Sequence, residues 1–282
     1  MSDDQSPFTY HDISDKDISL LIEYIKVRTS FDLNCYKLPC IKRCIARRMS
    51  TVSKKDFRSY TSYVMENEKE LEALLSLITI EFSAFFRNNE AFEILRNKVL
   101  PDIIASKRRT NENLIRIWSA GCATGEEPYS ISILLFELLA GIMDRFTVRI
   151  FATDVDRSSV SRAIQGIYSR ESVSNIESKT QQRYFVQENT AYKIKDFIRK
   201  PVFFGVQDII NDPPISNLDL LMFRNVLIYL NRESQIAVFK KLHYAIRPGG
   251  YLCLGKAETL PREYETVFDV VDRSWRIYRK IR

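Results

Sequence analysis

The chain has 282 residues, of which 45% are hydrophobic and 28% charged, and this composition is typical of a globular protein with a sizeable core. No apolar run reaches the roughly 18 residues of a membrane span, and the polar, acidic first residues do not match a secretory signal. The sequence contains five cysteines without a CxxC pair and only two histidines, which argues against a zinc site. We therefore expect a cytoplasmic protein with free thiols and no metal.

The first part of the chain, to about residue 80, has the hydrophobic spacing of helices. Apolar residues recur with a helical period between Ile18 and Ile25, and Ser14 before them is a potential cap. Two further helices are predicted at Phe57–Glu66 and Glu70–Ile80, and no strand pattern occurs before residue 114. This part of the chain is therefore predicted to be all-helical.

A basic block lies within this helical region, between Leu33 and Lys55. It contains seven basic residues and no acidic one, and its apolar positions fit one stripe of a helix. On that helix, Arg43 and Arg47 lie together on the side opposite the stripe. Such a surface suits an anionic partner, namely nucleic acid, an anionic membrane surface or an acidic protein, and a solvated helix face is the alternative.

From residue 114 onward, short apolar strands alternate with helices, which is typical of a parallel sheet covered on both faces. The predicted strands are Leu114–Trp118, Thr147–Ala152, Leu218–Phe223 and Tyr251–Gly255, and the predicted helices are Pro128–Ile142, Ser158–Gly166 and Glu233–Ile246. Arg247–Gly250 is predicted as a turn, and Tyr264–Tyr278 as a closing hairpin.

Residues 181–206 interrupt this alternation. Arg183–Val186, Tyr192–Lys195 and Phe197–Phe204 have the composition of short strands. We predict that they form a small antiparallel flap inserted into the larger domain.

The segment Trp118–Ser130, WSAGCATGEEPYS, joins a predicted strand to a predicted helix through a loop with two glycines. In a doubly wound sheet, ligands lie beyond the carboxyl ends of the strands, at turns of this kind. Gly121 and Gly125 allow close approach of the backbone, but Glu126 and Glu127 oppose a phosphate at the helix N-terminus. S-adenosylmethionine suits such a loop better, because it has no phosphate and carries a sulfonium and an ammonium group that acidic side chains stabilise.

Asp154 follows the second predicted strand, where an acid that binds ribose hydroxyls is expected. The glycine loop, its two acids, Asp154 and the later Pro248–Gly250 turn together predict a site for S-adenosylmethionine. The alternative is an ordinary helix N-terminus enriched in glutamate, with Asp154 in a solvated turn.

Five motifs extend this interpretation along most of the chain. They are Ala84–Arg87 (AFFR), Trp118–Ser130, Ala152–Asp156 (ATDVD) with Gly166–Tyr168 (GIY), Phe223–Tyr229 (FRNVLIY), and Arg247–Tyr251 (RPGGY) followed by Gly255–Glu258 (GKAE). In this order they resemble the chemotaxis receptor methyltransferases, the CheR type. The resemblance implies an α/β fold with a class I S-adenosylmethionine methyltransferase core, that is, a Rossmann-like, mostly parallel sheet with a C-terminal antiparallel hairpin.

The resemblance also implies a helical N-terminal domain and a small inserted antiparallel β-subdomain. We expect the helical domain at residues 1–88 and the methyltransferase domain at 89–282, with the β-subdomain at about 181–206. The implied activity is transfer of a methyl group from S-adenosylmethionine to glutamate side chains of bacterial chemoreceptors. The products are S-adenosylhomocysteine and glutamyl methyl esters, which serve sensory adaptation in chemotaxis.

The functional residues of the family are carried over onto matching positions of this sequence. Glu81 and Ser83 stand where family members usually have Asn and Thr, and Asp208 replaces a more usual Asn, which leaves open whether affinity or substrate differs. Arg87 and Tyr229 are predicted to face the transferring methyl group. The predicted cofactor-binding residues are Glu81, Ser83, Arg87, Ala120, Gly121, Glu126, Asp154, Asp208, Ile209, Arg224 and Asn225.

The chemistry suits these residues. A glutamate carboxylate is already ionised near neutral pH, so methyl transfer needs alignment and desolvation and no general base. Arg87 is expected to hold one carboxylate oxygen while the other attacks, and Tyr229 to line the path or steady the sulfonium. The alternatives are a surface arginine after two core aromatics, and a packed tyrosine after a strand.

The basic helix has a role in the same interpretation. Methylation regions of receptors are acidic helical bundles, so Arg43 and Arg47 are predicted to dock on them electrostatically. The hairpin Glu188–Tyr192 has no glycine, so we expect no tethering of a receptor's C-terminal peptide through the β-subdomain. We expect a monomer that meets the membrane only through receptors and binds no nucleic acid.

Two other functions stay open. A methyltransferase acting on RNA or another substrate is allowed by the basic block and by Asn211–Pro214, a tetrapeptide similar to that of amino-group methyltransferases. That tetrapeptide precedes Leu218–Phe223 instead of following it, so it is interpreted as a turn. A non-catalytic S-adenosylmethionine-binding signalling scaffold is the second alternative, and the intact Arg87 and Tyr229 argue against it.

Overall fold

The computed structural model describes residues 13–29, 31–79 and 83–281. The chain divides into two compact units, a smaller one of Met1–Ile80 with Tyr229–Gln235 and a larger one of Glu81–Ile228 with Ile236–Arg282. The predicted domain boundaries, 1–88 and 89–282 with an insertion at about 181–206, stay predictions.

Among its described residues up to 79, the smaller unit contains the helices α1 (Asp15–Thr29), α2 (Leu38–Thr51), α3 (Phe57–Glu66) and α4 (Glu68–Ile78), with a 3-10 turn at Leu33–Cys35. The prediction for α3 is confirmed at both ends, because Asp56 caps its first turn by accepting the N–H of Ser59 at 2.9 Å. The segment after residue 228 joins this unit through the N–H of Asn231, which donates to the carbonyl of Cys35 at 3.0 Å.

Two cations of the basic block are neutralised inside the smaller unit. The Arg48 guanidinium binds both carboxylate oxygens of the buried Glu70, at 3.0 and 2.6 Å. Lys42 donates to the carboxylate of Asp15 at 2.6 Å. These two residues therefore serve the packing of the helices.

The rest of the chain alternates strands and helices, as predicted. In chain order the elements are α5 (Asn89–Ile94), a π-helical turn (Leu95–Val99), α6 (Leu100–Arg109), β1 (Leu114–Ala120), α7 (Glu126–Leu138), β2 (Thr147–Asp154), α8 (Arg157–Gln165), β3 (Ile167–Ser169), α9 (Ser178–Tyr184), β4 (Phe185–Glu188), β5 (Ala191–Ile194), α10 (Asp196–Arg199), β6 (Val202–Val206), β7 (Leu218–Phe223), α11 (Arg232–Ala245), β8 (Ile246–Leu254), β9 (Phe268–Asp272) and β10 (Ile277–Lys280).

The large sheet has seven strands in the order β6-β2-β1-β7-β8-β10-β9. The first five are parallel, and β10 runs antiparallel to both β8 and β9. Every residue of Leu218–Phe223 is buried, as expected of a central strand covered on both faces. The predicted fold class, a mostly parallel sheet that ends in an antiparallel hairpin, is confirmed. The order reverses beside β1, so β1 and β7 flank the switch point where ligands bind in such sheets.

The small sheet differs from the predicted flap in its third strand. Its order is β3-β5-β4, so Ile167–Ser169 completes it. The prediction that Phe197–Phe204 supplies this strand is wrong, because Val202–Val206 pairs in parallel with β2 at the edge of the large sheet. Strand composition predicts that a segment is extended, but the pairing partner is a long-range property.

The predicted turn at Arg247–Gly250 is also wrong, since β8 runs through it. Gly249 has a φ of +77°, and the register between β7 and β8 shifts at Leu218/Leu220. A Cβ on Gly250 would lie 2.7 Å from the carbonyl oxygen of Leu218. The Pro-Gly-Gly sequence therefore serves an irregular strand with a close backbone approach, which uses the same residue types as a turn.

None of the helices in the described part of the chain combines the length and the apolar character that a membrane crossing needs.

Candidate active site

The loop between β1 and α7, residues 121–125, lies at the carboxyl ends of the central strands. The N–H groups of Gly121 and Cys122 donate to the carbonyl of Thr153 at 2.8 and 3.0 Å, which fixes the loop to the end of β2. Gly121 has a φ of +74°, and a Cβ there would lie 2.5 Å from Cγ2 of Val226. Only glycine therefore allows the loop to approach the segment after β7 so closely.

Asp154 ends β2 beside this loop. Its carboxylate accepts the N–H groups of Ala123 at 2.8 Å and of Asp156 at 3.0 Å. Burial raises the pKa of Asp154 above its ordinary value. Each carboxylate oxygen keeps a further lone pair, so the side chain can still accept hydroxyl groups of a ligand.

Glu126, the first residue of α7, is only 4% exposed. Its two oxygens accept the hydroxyl of Thr124 at 2.9 and 2.7 Å. No Lys, Arg or His among residues 13–29, 31–79 and 83–281 lies within ion-pair distance of Glu126 or of Asp154. A buried carboxylate without a cation is costly, so the site fits a ligand that brings positive charge.

Glu127, the second acid of the loop motif, is bound to the protein instead. One of its oxygens accepts the Ser119 hydroxyl at 2.8 Å, and the other lies 3.2 Å from Nη1 of Arg224. Nη2 of Arg224 donates to the carbonyl of Arg87 at 2.9 Å and to Oδ1 of Asn88 at 2.8 Å. Arg224 therefore links β1 and α7 to the segment that carries Arg87, and its predicted contact with the cofactor stays a prediction.

Arg87 lies in a tight turn within Ala84–Asn88. Phe86 and Asn88, on either side of it, have φ values of +51° and +65°, a conformation that non-glycine residues rarely adopt. The N–H of Phe86 donates to Oγ of Ser130 on α7 at 3.0 Å. The turn is therefore held from two sides, by a hydroxyl on α7 and by the guanidinium after β7.

The segment after β7 is organised by one buried residue, Glu258, which is 3% exposed. Asn225 in this segment has a φ of +62°. The Glu258 carboxylate accepts four backbone N–H groups, those of Asn225 (3.0 Å), Val226 (2.8 Å), Leu227 (2.7 Å) and Gly255 (2.6 Å). Burial raises the pKa of Glu258, and the four donors act in the opposite direction. In the sequence, Glu258 stands only at the end of a motif, since three of its four partners are 31 to 33 residues away in the chain.

Asp208 and Ile209 follow β6, next to the end of β2. The N–H of Gln207 donates to the carbonyl of Asp154 at 2.9 Å, which brings this segment to the loop. The Asp208 carboxylate accepts the backbone N–H two residues on and the side-chain amide of Asn211, both at 2.8 Å. Asp208 therefore stabilises its own turn, at the edge of the predicted cofactor site.

The other predicted site residues have different positions. Ala120 is buried at the end of β1, and Ser83 is half-buried just before the Arg87 turn. Glu81 lies outside the described residues. Tyr229 belongs to the smaller unit, where its carbonyl accepts the N–H of Lys37 at 2.8 Å. Its catalytic role stays a prediction.

Arg43 and Arg47 are exposed on α2 of the smaller unit. Nε of Arg43 donates to the carbonyl of Pro39 at 3.3 Å. Within the described ranges, neither guanidinium lies at ion-pair distance from an acidic side chain. This pair therefore keeps its positive charge uncompensated, unlike the neighbouring Lys42 and Arg48.

The tetrapeptide that allowed another substrate can be placed in the structure. Asn211–Pro214 lies in the turn-rich connection before β7, which agrees with its interpretation as a turn. Among the residues that the structure describes, no group of three or more His, Cys, Asp or Glu is arranged to hold a metal ion.

Comparisons with known proteins cover nearly the whole chain. Residues 81–277 match the family model described as CheR methyltransferase, SAM binding domain, and residues 16–79 match the model described as CheR methyltransferase, all-alpha domain. A chemotaxis protein methyltransferase of Borreliella burgdorferi is 30% identical over 270 residues, which cover 92% of this chain and 94% of that protein. Chemotaxis protein methyltransferase 2 of Vibrio cholerae is 31% identical over 256 residues, which cover 89% of this chain and 88% of that protein.

A longer relative contains a similar region. A Rhodobacter capsulatus protein, described as an uncharacterized 104.1 kDa protein in the hypE 3' region, is 31% identical over 262 residues. The match covers 93% of this chain and 27% of that protein.

Proposed function

Because the chain belongs to the CheR methyltransferase family, we propose that it transfers a methyl group from S-adenosylmethionine to glutamate side chains of bacterial chemoreceptors. The product on the receptor is a glutamyl methyl ester, and the reaction serves sensory adaptation. The observation that carries the proposal is the pair Glu126 and Asp154, a buried and a half-buried carboxylate at the glycine loop without a described cation beside them.

These two acids divide the recognition of the methyl donor between them. Glu126 would receive the cationic methionine end, because a positive charge offsets the cost of its burial. Asp154 would accept the ribose hydroxyls through its remaining lone pairs. Gly121 permits backbone contact at the same loop, and the segments at Asp208–Ile209 and Asn225 would border the rest of the molecule.

S-adenosylmethionine, when bound, supplies an activated methyl group on its sulfonium. Arg87 would bind one oxygen of the substrate glutamate through its guanidinium and leave the other oxygen free to attack. No proton has to move, since the attacking carboxylate is already ionised, so the site needs orientation and exclusion of water. From the motif we infer that Tyr229 lines the path of the methyl group.

The exposed pair Arg43 and Arg47 supports a docking role for α2. Receptor methylation regions are acidic, and uncompensated cations on a partner raise the association rate and align the complex. We assign this pair to receptor docking and expect the protein to act as a cytoplasmic monomer that reaches the membrane through receptors, without binding nucleic acid.

The proposal is tested by incubating the protein with receptor-containing membranes and S-adenosylmethionine labelled on the methyl group. Label on receptor protein that alkali releases as methanol supports glutamyl methyl esters. Alkali-stable label on RNA would support the alternative substrate, and binding of S-adenosylhomocysteine without any transfer would support a scaffold.

A further inference from the structure

We propose that Arg224 is a positioning residue for methyl transfer, which acts by holding the turn that presents Arg87. The inference rests on the proposed function. It adds a residue that affects the reaction by holding other protein groups in place.

The guanidinium of Arg224 is committed to protein groups. Its side chain is 4% exposed, and Nη1 pairs with Glu127 at 3.2 Å. Nη2 is shared by the carbonyl of Arg87 and Oδ1 of Asn88, at 2.9 and 2.8 Å. Both N–H groups of Nη2 and one of Nη1 are thus used by protein groups, whereas Nε is buried and has no hydrogen-bond partner in the described part of the chain.

The aromatic ring of Phe92 closes the other side of this guanidinium. Its centroid lies 5.6 Å from Cζ of Arg224, within the range of a cation–π contact. Ser119 fixes Glu127 from β1 at 2.8 Å. The guanidinium thus has a defined place, set by strand β1, helices α5 and α7, and its own position after β7.

The turn that Arg224 binds has to be stabilised by contacts with the rest of the protein. Phe86 and Asn88 both have left-handed backbone angles, and such conformations persist only where the surrounding structure holds them. Ser130 holds the Phe86 N–H, whereas Arg224 binds the carbonyl of Arg87 and the side chain of Asn88. Without the Arg224 fork, the side of the turn that follows Arg87 loses both of these hydrogen bonds.

This arrangement couples the two halves of the reaction. Glu127 directly follows Glu126, which would hold the methyl donor, and Arg87 would hold the acceptor. The side chain of Arg224 bridges Glu127 and the carbonyl of Arg87, so it fixes the distance between the groups that would hold donor and acceptor. Misplacement of reacting groups by an ångström costs about 100-fold in rate, so a loosened turn affects the chemical step more than binding.

The test compares Arg224→Lys with Arg247→Lys, a matched control on β8 whose partner Asp219 lies at the opposite end of β7. Arg247 also pairs with a buried acid, since its Nε lies 2.5 Å from Asp219. Lysine keeps the charge in both variants and removes the planar fork. We expect Arg224→Lys to lower kcat on receptor membranes by about 100-fold and the affinity for S-adenosylhomocysteine by less than about threefold. Arg247→Lys should leave kcat within about twofold.

A double-mutant cycle separates positioning from general damage. In an Arg87→Ala background, Arg224→Lys should cause no further loss of kcat, because its effect passes through Arg87. Losses that multiply, or a fall in S-adenosylhomocysteine affinity that matches the fall in kcat, would overturn the positioning role.

Hydrogen exchange gives a readout that does not depend on the substrate. The amides of the Ala84–Asn88 turn should exchange at least about tenfold faster in Arg224→Lys than in the wild type or in Arg247→Lys. Equal exchange would refute the inference even if the wild type methylates receptors. Faster exchange in Arg224→Lys, together with a wild type that does not methylate receptors, would refute the proposed function alone.

If Arg224→Lys does not fold, Asn88→Gly replaces it. Glycine keeps the left-handed backbone and removes one of the two acceptors of Nη2, so exchange in the turn should again rise and kcat fall by about tenfold. Unchanged exchange and unchanged kcat in this variant would contradict the proposal equally.

Discussion

The carboxylate of Glu258 accepts the backbone N–H of Val226 at 2.8 Å, and through this bond a residue near the C-terminus shapes the loop that faces Gly121. The same carboxylate also holds Asn225, Leu227 and Gly255. A single buried acid therefore determines the path of the chain after β7, including the residues that the family motif assigns to the cofactor.

Glu258→Gln should destabilise the protein. One oxygen of Glu258 accepts two of the four N–H groups and the other oxygen accepts the remaining two, so in either orientation the amide group of glutamine faces two donors. Leaving buried donors unpaired costs about 1–3 kcal/mol each, and we expect a loss of about 2 kcal/mol or more in the free energy of unfolding. Urea denaturation measures it, with the exposed Glu263→Gln as the control. Equal denaturation midpoints for the two variants would show that the hydrogen bonds to Glu258 contribute nothing to the stability of the protein.

Arg87→Ala should strongly lower the rate of methyl transfer while leaving the affinity for S-adenosylhomocysteine largely intact. Removing a group that orients and stabilises the reacting carboxylate costs about 100-fold or more in kcat. Labelled transfer to receptor membranes and calorimetry measure the two effects separately. Unchanged turnover would remove Arg87 from the mechanism.

Replacing both Arg43 and Arg47 with Ala should raise the KM for receptor without changing the affinity for S-adenosylhomocysteine. The wild-type KM should also rise with salt, and the variant should lose most of this dependence because screening acts on these charges. The control replaces Lys240 and Arg273, which are also exposed, and has the same net charge. If both double variants behave alike, the effect comes from total charge and not from α2.

Binding of S-adenosylhomocysteine should weaken on acidification. The loss of affinity should occur at a higher pH than it would for an aspartate with an ordinary pKa. Burial raises the pKa of Asp154 in the free protein, and only its ionised form accepts two hydroxyl groups. Protonation therefore competes with the ligand, and affinity is lost as the pH falls through this raised pKa. Calorimetry across the acidic range should show the loss in the wild type. Asp154→Asn should bind weakly at every pH, without that component, and an identical pH profile in this variant would exclude Asp154 as its source.

The sequence by itself determined those features that depend on neighbouring residues. Helix α3 and strand β7 lie where the pattern of apolar residues predicts them, because the direction of each side chain follows from local backbone geometry. The glycine loop with its adjacent acids predicts a ligand site from the sequence, since positive φ and close approach restrict the residue type at Gly121.

Tertiary structure decided which groups pair across the chain. Val202–Val206 joined the large sheet, because strand composition does not specify a partner. Glu126 and Glu127 are identical neighbours in sequence, yet one is buried without a described cation and the other binds Arg224, which is 97 residues away. The physical reason is that a carboxylate's role is set by its burial and by the charges that folding brings beside it, and neither is a property of local sequence.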